Sequence, residues 1–327
     1  MKVCIYGAGA VGGFIGARLG TQDLELSAIA RGATLAALRA NGLRLQLKDR
    51  LVSARIRAEA DPAVLGPQDL IVIAVKAPSM NAVAESIGPL IGPATCVMPA
   101  MNGVPWWFFD GMGGEYAGLR LRSVDPTGAI AKAIPIRHVM GCVVHLTCSV
   151  QEPGLIRHGF GNRIILGEPA GGPSSRVETL SSVFSRAGFE VNVSQRIQAD
   201  VWYKLWGNMT MNPVSAITGA TCDRILDDPL VNRFCLAVMA EAARIGAKIG
   251  CPINQSGEDR NAVTRQLGAF KTSMLQDVEA GRTIELDALV SVVREIGERL
   301  REPTPNIDAL LGLSRLHARV RGLYPEA

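Results

Sequence analysis

The sequence predicts an α/β domain followed by an all-α domain, and three observations carry that expectation. The first is the opening stretch Lys2-Val3-Cys4-Ile5-Tyr6-Gly7-Ala8-Gly9-Ala10-Val11-Gly12, an apolar run that passes through Gly-x-Gly-x-x-Gly into the helical pattern Phe14-Ile15-Gly16-Ala17-Arg18-Leu19. A lone Gly-x-Gly-x-x-Gly is weak evidence, but between a strand and a helix it has the context a dinucleotide fingerprint needs. The second is Leu70-Ile71-Val72-Ile73-Ala74-Val75, continuously apolar as expected of a central parallel strand covered on both faces. The third is the loss of strand signals from about Gln198, where helical periodicity takes over. The reading is a Rossmann-type dinucleotide-binding domain over residues 1–196 and an all-helical substrate and catalytic domain over residues 197–327, in keeping with a chain of 327 residues.

Composition narrows the class. Hydrophobic residues make up 48% and charged residues 20%, enough apolar material for a sizeable core. The net charge of +4 comes from scattered basic residues, which suits a small anionic ligand and not nucleic acid. The seven cysteines, at 4, 96, 142, 148, 222, 235 and 251, show no metal spacing and read as reduced thiols of a cytoplasmic protein. The four dispersed histidines pair with no obvious acid or nucleophile, and no metal site is expected. The apolar start is broken by glycines, unlike a signal peptide, and no stretch suffices to span a membrane. The helical domain could support a homodimer.

Each element of the first domain then has a reason. Gly7 permits the tight turn, Gly9 lets backbone approach a pyrophosphate, and Gly12 lets helix and strand pack closely, while Ala8, Ala10 and Val11 complete the phosphate loop. The free N–H groups and positive dipole end of the following helix attract the phosphates. Leu24 to Ala30 reads as the second strand. At its end an NAD-binding unit carries an acid for the ribose 2′-hydroxyl, whereas here Arg31 stands, followed by Gly32. A guanidinium matches a 2′-phosphate in charge and geometry, so NADP(H) is the expected cofactor.

Thr34 to Ala40 suggests a short helix, and Leu43–Leu47 with Leu51–Ile56 a small hairpin. Lys76 follows the central strand, where ligands of open sheets sit, although a solvated lysine would occupy the same place. Ser79 is a plausible N-cap for a helix to Ile87. Asn102 follows the Thr95–Met98 strand, where its amide could bond the nicotinamide ribose or the substrate, though Asn-Gly is also an ordinary turn. Trp106-Trp107-Phe108-Phe109 suits packing better than a pocket or lid. Gly111 to Gly118 suggests a surface loop. Strands at Gly141–Val150, Leu155–His158 and Arg163–Leu166, with turns at 152–154 and 159–161, suggest an antiparallel extension of the sheet. A helix from Ser174 or Ser175 to about Ala187 and a last strand Glu190–Val193 complete the domain.

The second domain opens with its most informative helix. Lys204, Asn208 and Asn212 stand at i, i+4 and i+8, on one face of an otherwise apolar helix containing Trp202, Leu205, Trp206, Met209 and Met211. Burying a lysine and two amides without partners is costly, so the stripe is expected to face a polar ligand.

At this point the sequence resembles the ketopantoate reductase (2-dehydropantoate 2-reductase) family over nearly its whole length. The resemblance rests on Gly-Ala-Gly-Ala-Val-Gly, Arg31-Gly32, Val75-Lys76, Asn102-Gly103, Lys204-Leu205-x-x-Asn208-x-x-x-Asn212-Pro213, Ser273-Met274-Leu275-Gln276-Asp277 and Thr283-Ile284-Glu285-Leu286-Asp287. It implies a cleft between the two domains and the NADPH-dependent reduction of a 2-oxo acid to a 2-hydroxy acid, a step of pantothenate biosynthesis. It implies further that Lys204 is the catalytic lysine and Glu285 the active-site glutamate. Asn102, Asn208, Asn212 and Ser273 fall on its substrate- or cofactor-contacting positions. Hydride addition leaves charge on the ketone oxygen, which a proton-donating cation stabilises as it forms, so Lys204 suits the part of general acid.

The sequence departs from the family where Cys222 and Phe270 replace expected polar residues, and where the 106–123 segment is longer and more aromatic. These departures bear on which 2-oxo acid is used. The competing readings are an NADP-linked reductase of a more apolar 2-oxo acid and a non-catalytic NADPH-binding protein; the joint presence of Lys204 and Glu285 argues against the second.

Overall fold

The structure, a computed structural model, describes residues 1–326. They fall into two compact units. One comprises Met1–Met101, Pro105–Leu119 and Thr127–Asp200; the other comprises Asn102–Val104, Arg120–Pro126 and the chain from Val201 onward.

In the first unit the order is β1 (Lys2–Tyr6), α1 (Ala10–Leu19), β2 (Glu25–Ile29), α2 (Gly32–Asn41), β3 (Leu43–Gln46), β4 (Leu51–Ala54), β5 (Arg57–Glu59), β6 (Gln68–Ile73), α3 (Met80–Ser86), β7 (Ile91–Pro99), α4 (Ala129–Ala133), β8 (Gly141–Glu152), β9 (Leu155–Gly167), α5 (Ser175–Arg186) and β10 (Glu190–Val193). β5-β2-β1-β6-β7 form a parallel sheet, the doubly wound order expected of a dinucleotide-binding fold. Its central strands β1 and β6 are buried almost throughout, which accounts for their unbroken apolar sequences.

The later strands do not extend that sheet, as the sequence suggested. They build a second one, β10-β9-β3-β4, with β8 paired to β9. Only the β8–β9 and β3–β4 pairs are antiparallel; β9 runs parallel to both β3 and β10. Residues 159–161 are not a turn either. β9 continues through them, and its register against β8 shifts there to absorb the extra residues as a bulge.

α1 lies between the two sheets and is buried from Gly12 to Ala17. A Cβ on Gly16 would meet Leu43 of β3 at 2.8 Å and Ile5 of β1 at 3.0 Å. A helix covered on two sides cannot be amphipathic, and small residues let both sheets approach it. Phe14, Leu43, Ile156 and Phe184 join the same core.

α6 (Ile197–Thr218) begins in the first unit and continues in the second. There follow α7 (Cys222–Asp227), α8 (Pro229–Lys248), α9 (Gly257–Arg265), α10 (Ser273–Glu279), a π-helical segment Asp287–Ser291, α11 (Val292–Leu300) and α12 (Pro305–Val320). Residues 120–126 join this unit because the Glu295 carboxylate on α11 accepts from the backbone N–H groups of Arg122 and Ser123, each at 2.8 Å. Trp106 to Phe109 are buried in the first unit, so this aromatic run is core. Among the described residues no helix is long and apolar enough to cross a membrane.

Candidate functional site

The three glycines of the loop have different surroundings. Gly7 has φ +97°, open to glycine at little cost. A Cβ on Gly12 would lie 2.1 Å from the Gly7 carbonyl oxygen, so only glycine lets α1 start this close to β1. Gly9 is different: nothing lies within 4 Å of where its Cβ would be. The open space belongs to a cavity of about 260 Å³ lined by Tyr6, Gly7, Ala8, Gly9, Arg31 and Ser79, among others. Ala10 and Val11 form the first turn of α1 beside it, and Gly12 is buried in the packing behind.

The chemistry around the cavity suits an anion. No side chain caps α1 and its first turn holds no acid, which leaves its leading N–H groups for a ligand. Arg31 occupies the N-cap position of α2 without capping it, is exposed, and follows β2 at the cavity wall. The α2 first turn is also free of acid. The residues present therefore fit the phosphates of a dinucleotide.

Lys76 is half-buried one residue beyond the lining residue Val75. It sits two residues further from its strand than expected, because β6 ends at Ile73. It precedes a tight 3-10 turn, Ala77–Ser79. That turn, and not a Ser79 side-chain cap, leads into α3; Ser79 makes no capping bond.

In the second unit α6 presents three distinct faces. The indole N–H groups of Trp202 and Trp206 donate to the carbonyls of Ala242 at 3.2 Å and Met239 at 2.7 Å, on successive turns of α8. Tyr203 and Gly207 face α9, where the Arg260 guanidinium lies 5.7 Å from the Tyr203 ring centroid. At 100° per residue, Lys204 and Asn208 are left on the side turned away from α8. Both are half-buried, while Asn212, two turns beyond Lys204, is 6% exposed.

Lys204 does not stand alone on that face. Its Nζ donates to Asn102 Oδ1 at 2.8 Å. Asn102 in turn is held by its neighbours. The Val104 N–H donates to the Ala288 carbonyl at 2.9 Å, and Gly103, with φ +86°, passes so close that a Cβ would lie 2.3 Å from the same oxygen. Ala288 belongs to the π-helical segment that starts two residues after Glu285. π turns widen a helix, offer carbonyls to outside donors and recur at functional sites. Lys204 is thus bonded directly to Asn102, and the backbone carrying Asn102 is docked on the turn that follows Glu285.

Thr272, the residue before Ser273, meets the far end of the same helix. Thr272, the N-cap of α10, bonds the Leu275 N–H, and its hydroxyl lies 2.5 Å from Ser215 Oγ, three residues past Asn212. Ser273 itself is exposed at the first position of α10.

Two of the three departures from the family pattern are neighbours: the Cys222 N–H donates to the Phe270 carbonyl at 3.0 Å. Cys222 is 2% exposed, and burial pushes its thiol up to about 11, so it packs as a small apolar group. Phe270 is half-buried.

Sequence reasoning missed Tyr324, and it quoted Asp287 within the Thr283–Asp287 block without giving it a role. The Tyr324 hydroxyl donates to Asp287 Oδ1 at 2.6 Å, two residues past Glu285. A residue joined to the site only by the fold leaves no motif to find. Among the described residues no group of acids, cysteines and histidines could hold a metal.

Comparison with known proteins completes the assignment. The ketopantoate reductase PanE/ApbA family matches residues 3–171, and its C-terminal domain matches residues 196–318. A 2-dehydropantoate 2-reductase of Mesorhizobium japonicum is 45% identical over 99% of this chain and 100% of its own. A solved structure of a candidate ketopantoate reductase from Ralstonia solanacearum MolK2 is 62% identical, with TM-score 0.94, over 98% of this chain and 99% of that one. A PanE/ApbA family ketopantoate reductase from Ralstonia eutropha JMP134 is 25% identical, with TM-score 0.84, over 98% of this chain and 100% of that one. With both family regions matched and the fold shared end to end, the chain belongs to the ketopantoate reductase family of dinucleotide-binding oxidoreductases.

Proposed function

We propose that this oxidoreductase reduces ketopantoate to pantoate with NADPH, and that Lys204 is the general acid. The observation that carries the reading is the Lys204–Asn102 bond on the polar face of α6. A lysine oriented by an amide keeps its proton for the substrate, because an amide oxygen accepts a hydrogen bond without taking the proton.

The glycine loop would hold the phosphates of NADPH and Arg31 its 2′-phosphate, and the bound cofactor would supply the hydride. As charge develops on the ketone oxygen, Lys204 Nζ stabilises it and then delivers a proton to the same oxygen. Asn208, Asn212 and Ser273 supply amide and hydroxyl donors for the substrate carboxylate. Glu285 accepts the hydrogen bond of the terminal hydroxyl that distinguishes ketopantoate from simpler branched 2-oxo acids. Lys76 and Asn102 complete the cofactor and substrate contacts.

The family membership and the 45% identical 2-dehydropantoate 2-reductase support ketopantoate over a more apolar acid. All seven cysteines are free thiols, which suits a reducing compartment, and the cytoplasm is the proposed location. The test is the loss of NADPH absorbance with a panel of 2-oxo acids at fixed cofactor. Ketopantoate should give the highest kcat/KM; no turnover of ketopantoate alongside turnover of another 2-oxo acid would replace this assignment.

A further inference from the structure

Glu285 lies in irregular backbone between α10 and the π-helical segment, so no helix or strand ladder fixes its place. Its two flanks are held by residues beyond α12. There the chain reverses by a Schellman turn: Gly322 has φ +66°, its N–H donates to the Arg319 carbonyl, and the Leu323 N–H donates to the Ala318 carbonyl, both at 2.8 Å. The reversal aims the next two residues at the two flanks of Glu285. On one flank the Ile284 N–H donates to the Leu323 carbonyl at 3.1 Å. On the other the Tyr324 hydroxyl donates to Asp287 Oδ1 at 2.6 Å, an oxygen that also accepts from Ser291 at 2.8 Å.

The clamp is itself held. Arg319 Nε donates to the Pro325 carbonyl at 2.9 Å, and its guanidinium lies 5.7 Å from the Tyr324 ring centroid. With the Val104–Ala288 bond on the next residue, the segment 284–288 is bonded at three of its five residues to chain remote in sequence, through the backbone at Ile284 and Ala288 and through the side chain at Asp287.

We infer that Tyr324 is a positioning residue: with Leu323 it clamps the chain on both sides of Glu285, Leu323 through the Ile284 backbone and Tyr324 through the Asp287 carboxylate, and holds the Glu285 carboxylate in register with the Asn102–Lys204 pair. The inference rests on the proposed role of Glu285. Burial, then the bond to Asp287, pushes the Tyr324 hydroxyl up to about 12, so it remains a donor throughout the working pH range.

A double-mutant cycle tests it. Tyr324→Phe removes one oxygen and should lower kcat/KM for ketopantoate about tenfold, the worth of one hydrogen bond to a charged group. NADPH affinity, measured by fluorescence titration, should not change. In a Glu285→Gln background the same substitution should cost less than about twofold, because the group being positioned is already disabled. Asp287→Asn, which keeps the shape and weakens the same bond, should reproduce the pattern if Tyr324→Phe proves too unstable to assay. A loss of equal size in both backgrounds, or no loss in either, overturns the clamp and leaves the function intact. A Glu285→Gln enzyme as active as the parent overturns the role of Glu285 and the clamp with it.

Discussion

Lys204 Nζ and Asn102 Oδ1 lie 2.8 Å apart although 102 residues separate them in sequence. The bond joins the polar face of α6 to a loop docked on the π-helical segment after Glu285. The role proposed for Lys204 needs such an anchor, since an unrestrained ammonium on a flexible four-carbon stem would sample many rotamers. Lys204→Ala should lower kcat by roughly 10²–10⁴, the usual worth of a positioned acid, and leave NADPH binding intact. Asn102→Ala keeps the acid and loses its orientation, so its loss should be smaller, about tenfold. Stopped-flow single turnovers would separate chemistry from product release. Equal rates in the parent and Lys204→Ala would remove Lys204 from the mechanism.

The proposed cofactor choice rests on Arg31. It is exposed at the N-terminus of α2, on the wall of the cavity that Gly9 opens into. Arg31→Ala should raise the KM for NADPH by about tenfold or more, the worth of a charge-assisted bond to phosphate, and leave NADH kinetics nearly unchanged. Initial rates with both cofactors decide it. A parent enzyme that uses NADH as well as NADPH would contradict the assignment.

Two glycines of one motif should fail in different ways. Gly9→Ala adds a methyl group into open space, so the protein should fold with an unchanged melting temperature. The same methyl group would occupy the approach proposed for the cofactor phosphates, and NADPH affinity should fall about tenfold or more. Gly12→Ala places its methyl group 2.1 Å from a backbone oxygen that cannot step aside. It should be strongly destabilised before any question of binding arises. Thermal melts with and without NADPH distinguish the two; an equally stable Gly12→Ala protein would refute the packing argument.

The parts legible in sequence were those set by local physics. The glycine spacing, the apolar runs of β1 and β6, and the i, i+4, i+8 stripe of α6 each follow from one element's own periodicity. The second sheet was not legible in that way, because β9 pairs with β3 across more than a hundred residues and nothing in either strand names its partner. The bulge at 159–161 read as a turn because Gly-Phe-Gly serves both. At the site, residue types revealed the lysine and the amides. Tyr324 escaped, and Asp287 was read only as part of a motif, because their pairing depends on a chain reversal at Gly322 that brings residue 324 back to residue 287.

The buried thiols make a prediction about alkaline pH. Burial pushes Cys4, Cys96, Cys148 and Cys235 up to about 12, and Cys222 up to about 11, from an ordinary value of 9.0. Tyr324 rises from 10.0 to about 12. In each case the folded protein holds its proton more tightly than the unfolded chain. The stability this represents is fully present below pH 9 and is lost as pH rises toward 12, because the unfolded chain releases protons that the folded one retains. The melting temperature should therefore fall progressively from about pH 9 upward. Cys4→Ala should be less stable at neutral pH, through the small cavity it leaves, and its melting temperature should fall less steeply with pH. At pH 8 thiol reagents should label the folded protein slowly, since thiolate is the reactive form, and rapidly once denaturant is added. A melting temperature that stays flat between pH 8 and pH 11 would mean that the thiols are less buried than the structure places them.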